Sequence, residues 1–213
     1  MSTRIITISR QCGSGGHQIG LLVAEKLGIP FYDKELVKAV AARSGFSEEL
    51  IEAKGEETAR GFLFNIAQYG FSPANTDTRE RLPVPDQIHA YQAEVIRELA
   101  NKGPCVIVGR CADYILRNRD DCLHVFIYGK FEDRVARVIR THEVEPEQAR
   151  VHVMERDKKR AKYYKSMTGC TWEDAYNYNL SLDVSWLGIA RCVDIVARAY
   201  QEGRWIGADP LDD

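Results

Sequence analysis

Between Ile5 and Leu27 the chain switches from one kind of apolar spacing to another, with a glycine cluster at the switch. Ile5, Ile6, Thr7 and Ile8 form a β-branched run that predicts a buried strand, and Ile19, Leu22, Val23 and Leu27 then recur at helical spacing. Gly13, Gly15 and Gly16 lie between them. Strand, glycine loop and helix together make a phosphate cradle: glycines let backbone N–H groups converge on an anion, and the helix N-terminus adds its free N–H groups and positive dipole end. The ligand-facing candidates in this stretch are Arg10, Gly13, Ser14, Gly15, Gly16, His17 and Gln18.

The loop departs from the common phosphate-binding patterns. A Walker loop reads G-x-x-x-x-G-K-[ST]. With Gly15 as its second glycine, Arg10 stands where the first belongs, Gly16 where the lysine belongs and His17 where the hydroxyl residue belongs. The dinucleotide pattern G-x-G-x-x-G fails as well, because Gln18 occupies its third glycine. A tight strand-to-helix turn with no ligand is the structural alternative.

A length of 213 residues, 45% of them hydrophobic, suits one domain with an appended flap. Lysine plus arginine (29) nearly balance aspartate plus glutamate (31), so no global basic field points to nucleic acid or to a membrane surface, and anion binding has to be local. Six cysteines are scattered without a C-x-x-C pair, which argues against a zinc site and a disulfide scaffold, and no residue is assigned to a metal. With no signal-like N-terminus and no apolar run of the ~20 residues a membrane helix needs, the chain reads as cytoplasmic.

Further along, Ile29–Asp33 predicts a short strand with a carboxylate at its end. Asp33 either faces the ligand crevice or caps the helix Lys34–Arg43, and one residue can do both. Lys34 and Lys38 lie one turn apart, in reach of a second anion. Helical patches follow at Ser47–Lys54, capped by Ser47, and at Thr58–Tyr69, then a polar loop over Ser72–Pro85 carries Arg79 and Arg81. A helix over Pro85–Lys102 is stopped by Gly103-Pro104, and the strand from Cys105 ends in Gly109-Arg110, which aims Arg110 at the same crevice with Asp113 as its candidate partner.

A strand at Leu123–Tyr128 leads to a helix over Phe131–Thr141 and then one over Glu145–Ser166. The latter concentrates Arg156, Lys158, Lys159, Arg160, Lys162 and Lys165, with Tyr163 and Tyr164 interleaved. Such a face is a solvated surface, an RNA platform or a phosphate clamp. A short helix at Trp172–Tyr178, a strand at Asn179–Asp183 and a helix at Leu187–Tyr200 complete the reading.

Five blocks in order resemble the cytidylate kinase-like proteins, within the P-loop nucleoside monophosphate kinases. They are Ile6–Gly20, Gly28–Asp33, Val106–Leu116, Asp157–Tyr164 and Tyr178–Ser185, while residues 44–104 match only loosely. The resemblance implies an α/β fold with a parallel five-stranded sheet flanked by helices. It implies a core of residues 1–43, 96–141 and 169–213, a monophosphate-binding flap at about 44–95 and a lid at about 142–168. The implied reaction moves the γ-phosphoryl group of ATP, with Mg2+, to a nucleoside monophosphate of the CMP or dCMP kind. Arg156, Arg160 and Arg110 are then catalytic, and Asp33, Lys38, Arg79 and Asp113 are on the acceptor side. The family motif D-G-R-D appears here as Val108-Gly109-Arg110-Cys111, without its carboxylates. The missing lysine keeps a second reading open, a nucleotide-binding sensor or interaction protein without turnover, or a kinase for another small molecule. The oligomeric state is not legible.

Overall fold

The computed structural model describes residues 4–55, 82–143 and 145–203. The helix expected over Thr58–Tyr69, and Arg79 with Arg81, lie outside the described residues. Strands β1 (Ile5–Arg10), β2 (Phe31–Tyr32), β3 (Cys105–Val108), β4 (Cys122–Tyr128) and β5 (Leu180–Asp183) form one parallel sheet in the order β2-β3-β1-β4-β5. The described helices are α1 (Gly16–Leu27), α2 (Lys34–Ser44), α3 (Glu48–Lys54), α4 (Val84–Lys102), α5 (Ala112–Ile115), α6 (Phe131–His142), α7 (Pro146–Thr168) and α8 (Val184–Glu202).

The central strands are apolar on both faces because helices cover both, as parallel sheets require. Their period of two sorts the side chains: Ile6, Ile8, Val106 and Val108 pack with α1 and α8, while Ile5, Cys105 and Ile107 pack with α2 and α4. Two cores therefore share one sheet. Gly28 ends α1 in the left-handed region, and the Ser47 hydroxyl accepts from Leu50 N–H at the start of α3, both as their residue types predict.

The expected helix at Trp172–Tyr178 shrinks to a 3-10 turn over Ala175–Asn177. Local bonds compete with it: Asp174 accepts from Tyr176 N–H, Asn177 donates to Thr171 O, and Tyr178 Oη donates to Trp172 O. Trp172 and Tyr178 are drawn instead onto Phe126 in an aromatic cluster beside β4. Helix α8 starts earlier than its apolar spacing suggests, capped by Asp183 and broken by Gly188.

Two histidines, His89 buried and His124 half-buried, are expected to make the fold acid-sensitive. His124 sits opposite Thr7 in the β1–β4 ladder with its Nδ1 2.8 Å from the threonine hydroxyl, and His89 is buried on α4. Burial pulls each ring down to about 4. The unfolded rings, near pH 6.5, take up protons that the folded ones refuse. Stability is therefore expected to fall as pH drops from about 6.5 to about 4, by up to about 3 kcal/mol for each histidine. Asp113, pushed up by burial, opposes part of this loss at the acid end. Urea unfolding at pH 7 and pH 4.5 checks the trend, and a flat profile would contradict it.

Candidate active site

The glycine loop joins the end of β1 to the start of α1. Gly13 and Gly15 adopt φ of 74° and 78°, the left-handed region where a Cβ is strained, and a Cβ on Gly13 would run into the carbonyl of Arg134. Ser14 closes the turn from inside: its N–H and its hydroxyl both donate to Gln11 O, at 3.3 and 2.9 Å. The start of α1 carries no side-chain cap, so its first amides are free to meet an anion.

The unusual residues of the loop explain one another. A Cβ on Gly16 would collide with Arg10 Cβ, so the arginine stem fills the space from which a lysine would grow at position 16. The Arg10 guanidinium then reaches across the sheet end to Gly109, whose missing Cβ leaves it room. Charge is thus delivered from β1 rather than from α1. Gly16→Lys is accordingly expected to weaken nucleotide binding at least about tenfold instead of restoring a Walker loop, since the clash is with a side-chain stem that cannot swing away. Titration calorimetry with ADP checks this.

Helix α7 is tied down onto the loop. Asp157 accepts from Cys12 N–H at 2.7 Å, and its other oxygen lies 2.5 Å from Arg134 Nη1, which also donates to Cys12 O at 3.0 Å. Arg134 Nε donates to Gly129 O, and Arg160 Nη1 donates to Arg10 O at 3.1 Å. Side-chain exposures of 8% for Arg134 and 17% for Asp157 make this a nearly buried ion pair, in which geometry counts for far more than in a surface bridge.

Between loop, α6 and α7 opens a cavity of about 400 Å3. Four arginines line it from three elements: Arg10 from β1, Arg137 from α6, and Arg156 and Arg160 from α7. Gly13, Gly15, Gly16, His17, Gln18 and Asp33 line it too, so most of the predicted site residues converge here. Asp33 leaves the α2 cap unmade and instead binds His17 Nδ1 at 2.8 Å, which orients the imidazole at the cavity edge. His152, also lining, is pulled below its ordinary range by burial and then by Arg156, His142 and Arg160.

Other predicted residues lie elsewhere. Ser14 is fully buried and spends its hydroxyl inside the turn, so it shapes the loop and does not face the cavity. Asp113 is likewise buried; its oxygens take hydrogen bonds from Ser9 (3.2 Å) and Tyr164 (2.6 Å), so the Arg110–Asp113 rim pair is not formed. Burial, with hydrogen bonds from two hydroxyls, made it a core anchor. Lys38 is exposed on α2 outside the cavity lining, Arg110 sits beside Gly55 and Gln92, and Arg79 lies outside the described residues.

Tyr163 and Tyr164 are buried at 4% and 3% exposure, which removes them as an RNA stacking platform. Arg137, His142 and His152 were missed by sequence reasoning. The three-residue spacing of Arg134, Arg137 and Arg140 after β4 was the available signal for α6.

A sequence model of the cytidylate kinase-like family matches residues 5–186. The chain belongs to the cytidylate kinase-like family. Among solved structures, this family member is similar to an uncharacterized protein from Eubacterium ventriosum, 25% identical over 93% of this chain and 98% of that one, with a TM-score of 0.69. It also shares the fold of a shikimate kinase from Bacteroides thetaiotaomicron (15% identity, 93% and 96% coverage, TM-score 0.51). TT1252 from Thermus thermophilus is comparable (17%, 93% and 96%, 0.51). No curated protein matches the chain. The fold of the cytidylate kinase-like family member is thus that of P-loop kinases, with an altered loop. No described helix is long and apolar enough to cross a membrane.

Proposed function

We propose that the protein transfers the γ-phosphoryl group of ATP to a nucleoside monophosphate of the CMP or dCMP kind. The observation that carries this reading is the single cavity in which loop amides and four arginines from three elements meet. Phosphoryl transfer asks little covalent chemistry of a protein; it asks for positioning and for neutralisation of the oxygens around the moving phosphorus. This cavity supplies both.

In this reading the amides between Cys12 and Gln18 hold the donor's β- and γ-phosphates, with Arg10 in the role of the absent lysine. Arg156 and Arg160 neutralise the transferring group from α7, and Arg137 stands between this cavity and a second one of about 330 Å3 lined by Gly13, Arg140, Val184 and Ser185. The acceptor belongs on the β3 side, with Arg110; Lys38 and Arg79 are its further candidate cations. Mg2+ is usually carried largely by nucleotide phosphates and water, and the lining offers Asp33 and the Gln18 amide as oxygen donors that fit such a role. The metal would supply charge neutralisation on the β- and γ-oxygens. Six free thiols fit a cytoplasmic setting.

The test is turnover: ADP production from ATP and Mg2+ with CMP, dCMP, UMP, AMP and shikimate as acceptors. Acceptor-dependent ADP with a monophosphate supports the reading. A protein that binds ATP and turns over none of them would instead be a nucleotide-binding module, the reading that the altered loop favours.

A further inference from the structure

Where α6 gives way to α7, two imidazoles line the cavity: His142, the last residue of α6, and His152 of α7. Their ring centres lie 6.1 Å apart, with the planes tilted by 42°. Two hydrogen bonds of about 2.8 Å to a shared oxygen can span ring centres up to about 8 Å apart, so one phosphate oxygen fits between these rings.

The bonds of Thr141 settle what His142 offers. Thr141 Oγ1 donates its one proton to Arg137 O at 2.9 Å, so in its 2.9 Å contact with His142 the ring Nδ1–H is the donor. Nε2 is left as the basic atom. His152 makes no hydrogen bond with a described residue.

Cations surround both rings. Arg137 of α6, Arg156 and Arg160 of α7 and Arg10 of β1 share the lining. His17 and Asp33, bound to each other, face it from α1 and the end of β2, and the Cys12 thiol that also lines it is pushed up by burial. Glu155 of α7 acts on His152 in the opposite sense, more weakly than the burial and the cations that hold this ring below its ordinary range. A fifth fixed cation here would be repelled by four guanidiniums. An imidazole avoids that cost, staying neutral until an anion enters and then accepting a proton.

We infer that His142 and His152 form a protonatable subsite for a phosphate oxygen of the ligand, so that the cavity takes up a proton as it binds. The inference rests on the reading that this cavity receives a polyphosphate, and it needs no turnover. Binding raises the affinity of the rings for protons. The gain in ligand affinity is therefore complete below the value that the rings have in the empty cavity, and it is lost as pH rises through the value they have in the filled one.

Titration calorimetry of the whole protein, in two buffers of different ionisation enthalpy, counts the protons taken up. ADP and inorganic tripolyphosphate are the probes, and His142→Gln/His152→Gln, polar but unable to take a proton, is the reference that cancels the probes' own ionisation. Wild type is expected to take up about 0.5 proton more per ligand than this variant at pH 7, and to gain about fivefold more affinity between pH 8 and pH 6.5. By proton NMR, His152 is expected to titrate about one pH unit higher with ADP bound. An unchanged melting temperature in the variant certifies its fold. Three results overturn the inference: equal proton uptake in wild type and variant, a His152 titration that ADP leaves unmoved, or extra uptake with ADP and none with tripolyphosphate, which would put the rings on the nucleoside. ADP turnover without the extra uptake removes the subsite and keeps the kinase reading. Extra uptake in a protein that phosphorylates no acceptor keeps the subsite and removes the kinase reading.

Discussion

Arg156→Ala is expected to lower kcat about 1,000-fold while changing the Kd for ATP less than tenfold. The reason is its placement. Arg156 lines the cavity, is exposed on α7, and makes no hydrogen bond or ion pair with a described residue, so the folded protein loses little without it. A cation that meets developing charge in the transition state shows up in kcat, whereas one that binds the ground state equally well shows up in affinity. Arg160 is different. Its Nη1 donates to Arg10 O, at the point where β1 runs into the loop, so Arg160→Ala is expected to loosen α7 and to cost ATP affinity and rate together. Single-turnover kinetics with calorimetry on both variants separates the two roles, and equal losses in rate and affinity at Arg156 would contradict its assignment.

The second large effect is on stability. Asp157→Ala removes the partner of a nearly buried arginine and the acceptor of the Cys12 amide in one step, leaving Arg134 charged and uncompensated. The expected loss is about 3 kcal/mol, or about 10 °C in Tm for a domain of this size, accompanied by weaker nucleotide binding as the loop relaxes. Replacing both partners with apolar residues, Arg134→Met with Asp157→Leu, is expected to recover most of the stability and little of the affinity. Packing can replace a buried pair, but no methyl group accepts from Cys12 N–H or donates to Cys12 O. Thermal melts and ADP titrations on the single and double variants check both statements; a wild-type Tm in Asp157→Ala would show the pair to be of no consequence.

How much of this was legible in the chain depends on how far each feature reaches. The strands at Ile5–Ile8 and Cys105–Val108 follow from unbroken β-branched or apolar runs, and Gly28 and Ser47 mark helix ends because capping involves residues only a few positions apart. The Trp172–Tyr178 segment defeated the same reasoning. Its apolar residues have a helical spacing, yet Phe126, 46 or more residues away, offers the two rings a better place than a helix face does. At the site, the glycine loop and the cationic run near Arg156 were readable as local composition. Arg137 and His152 were not, because their convergence depends on how α6 and α7 pack, and Asp113 was misplaced on the rim because nothing near it in sequence announces Ser9 and Tyr164 as its partners.

Sequence alone therefore determined the central strands and the place of the glycine loop between β1 and α1, since these arise from backbone preferences and periodicities that act within a few residues, while the parallel sheet was what the family resemblance implied. Only the tertiary structure decided which charges serve the loop: that Arg10 and Gly16 divide one space, and that Asp157 binds α7 down. Those relations join residues far apart in the chain through steric exclusion and buried hydrogen bonds, and such constraints exist only once the helices have packed on the sheet.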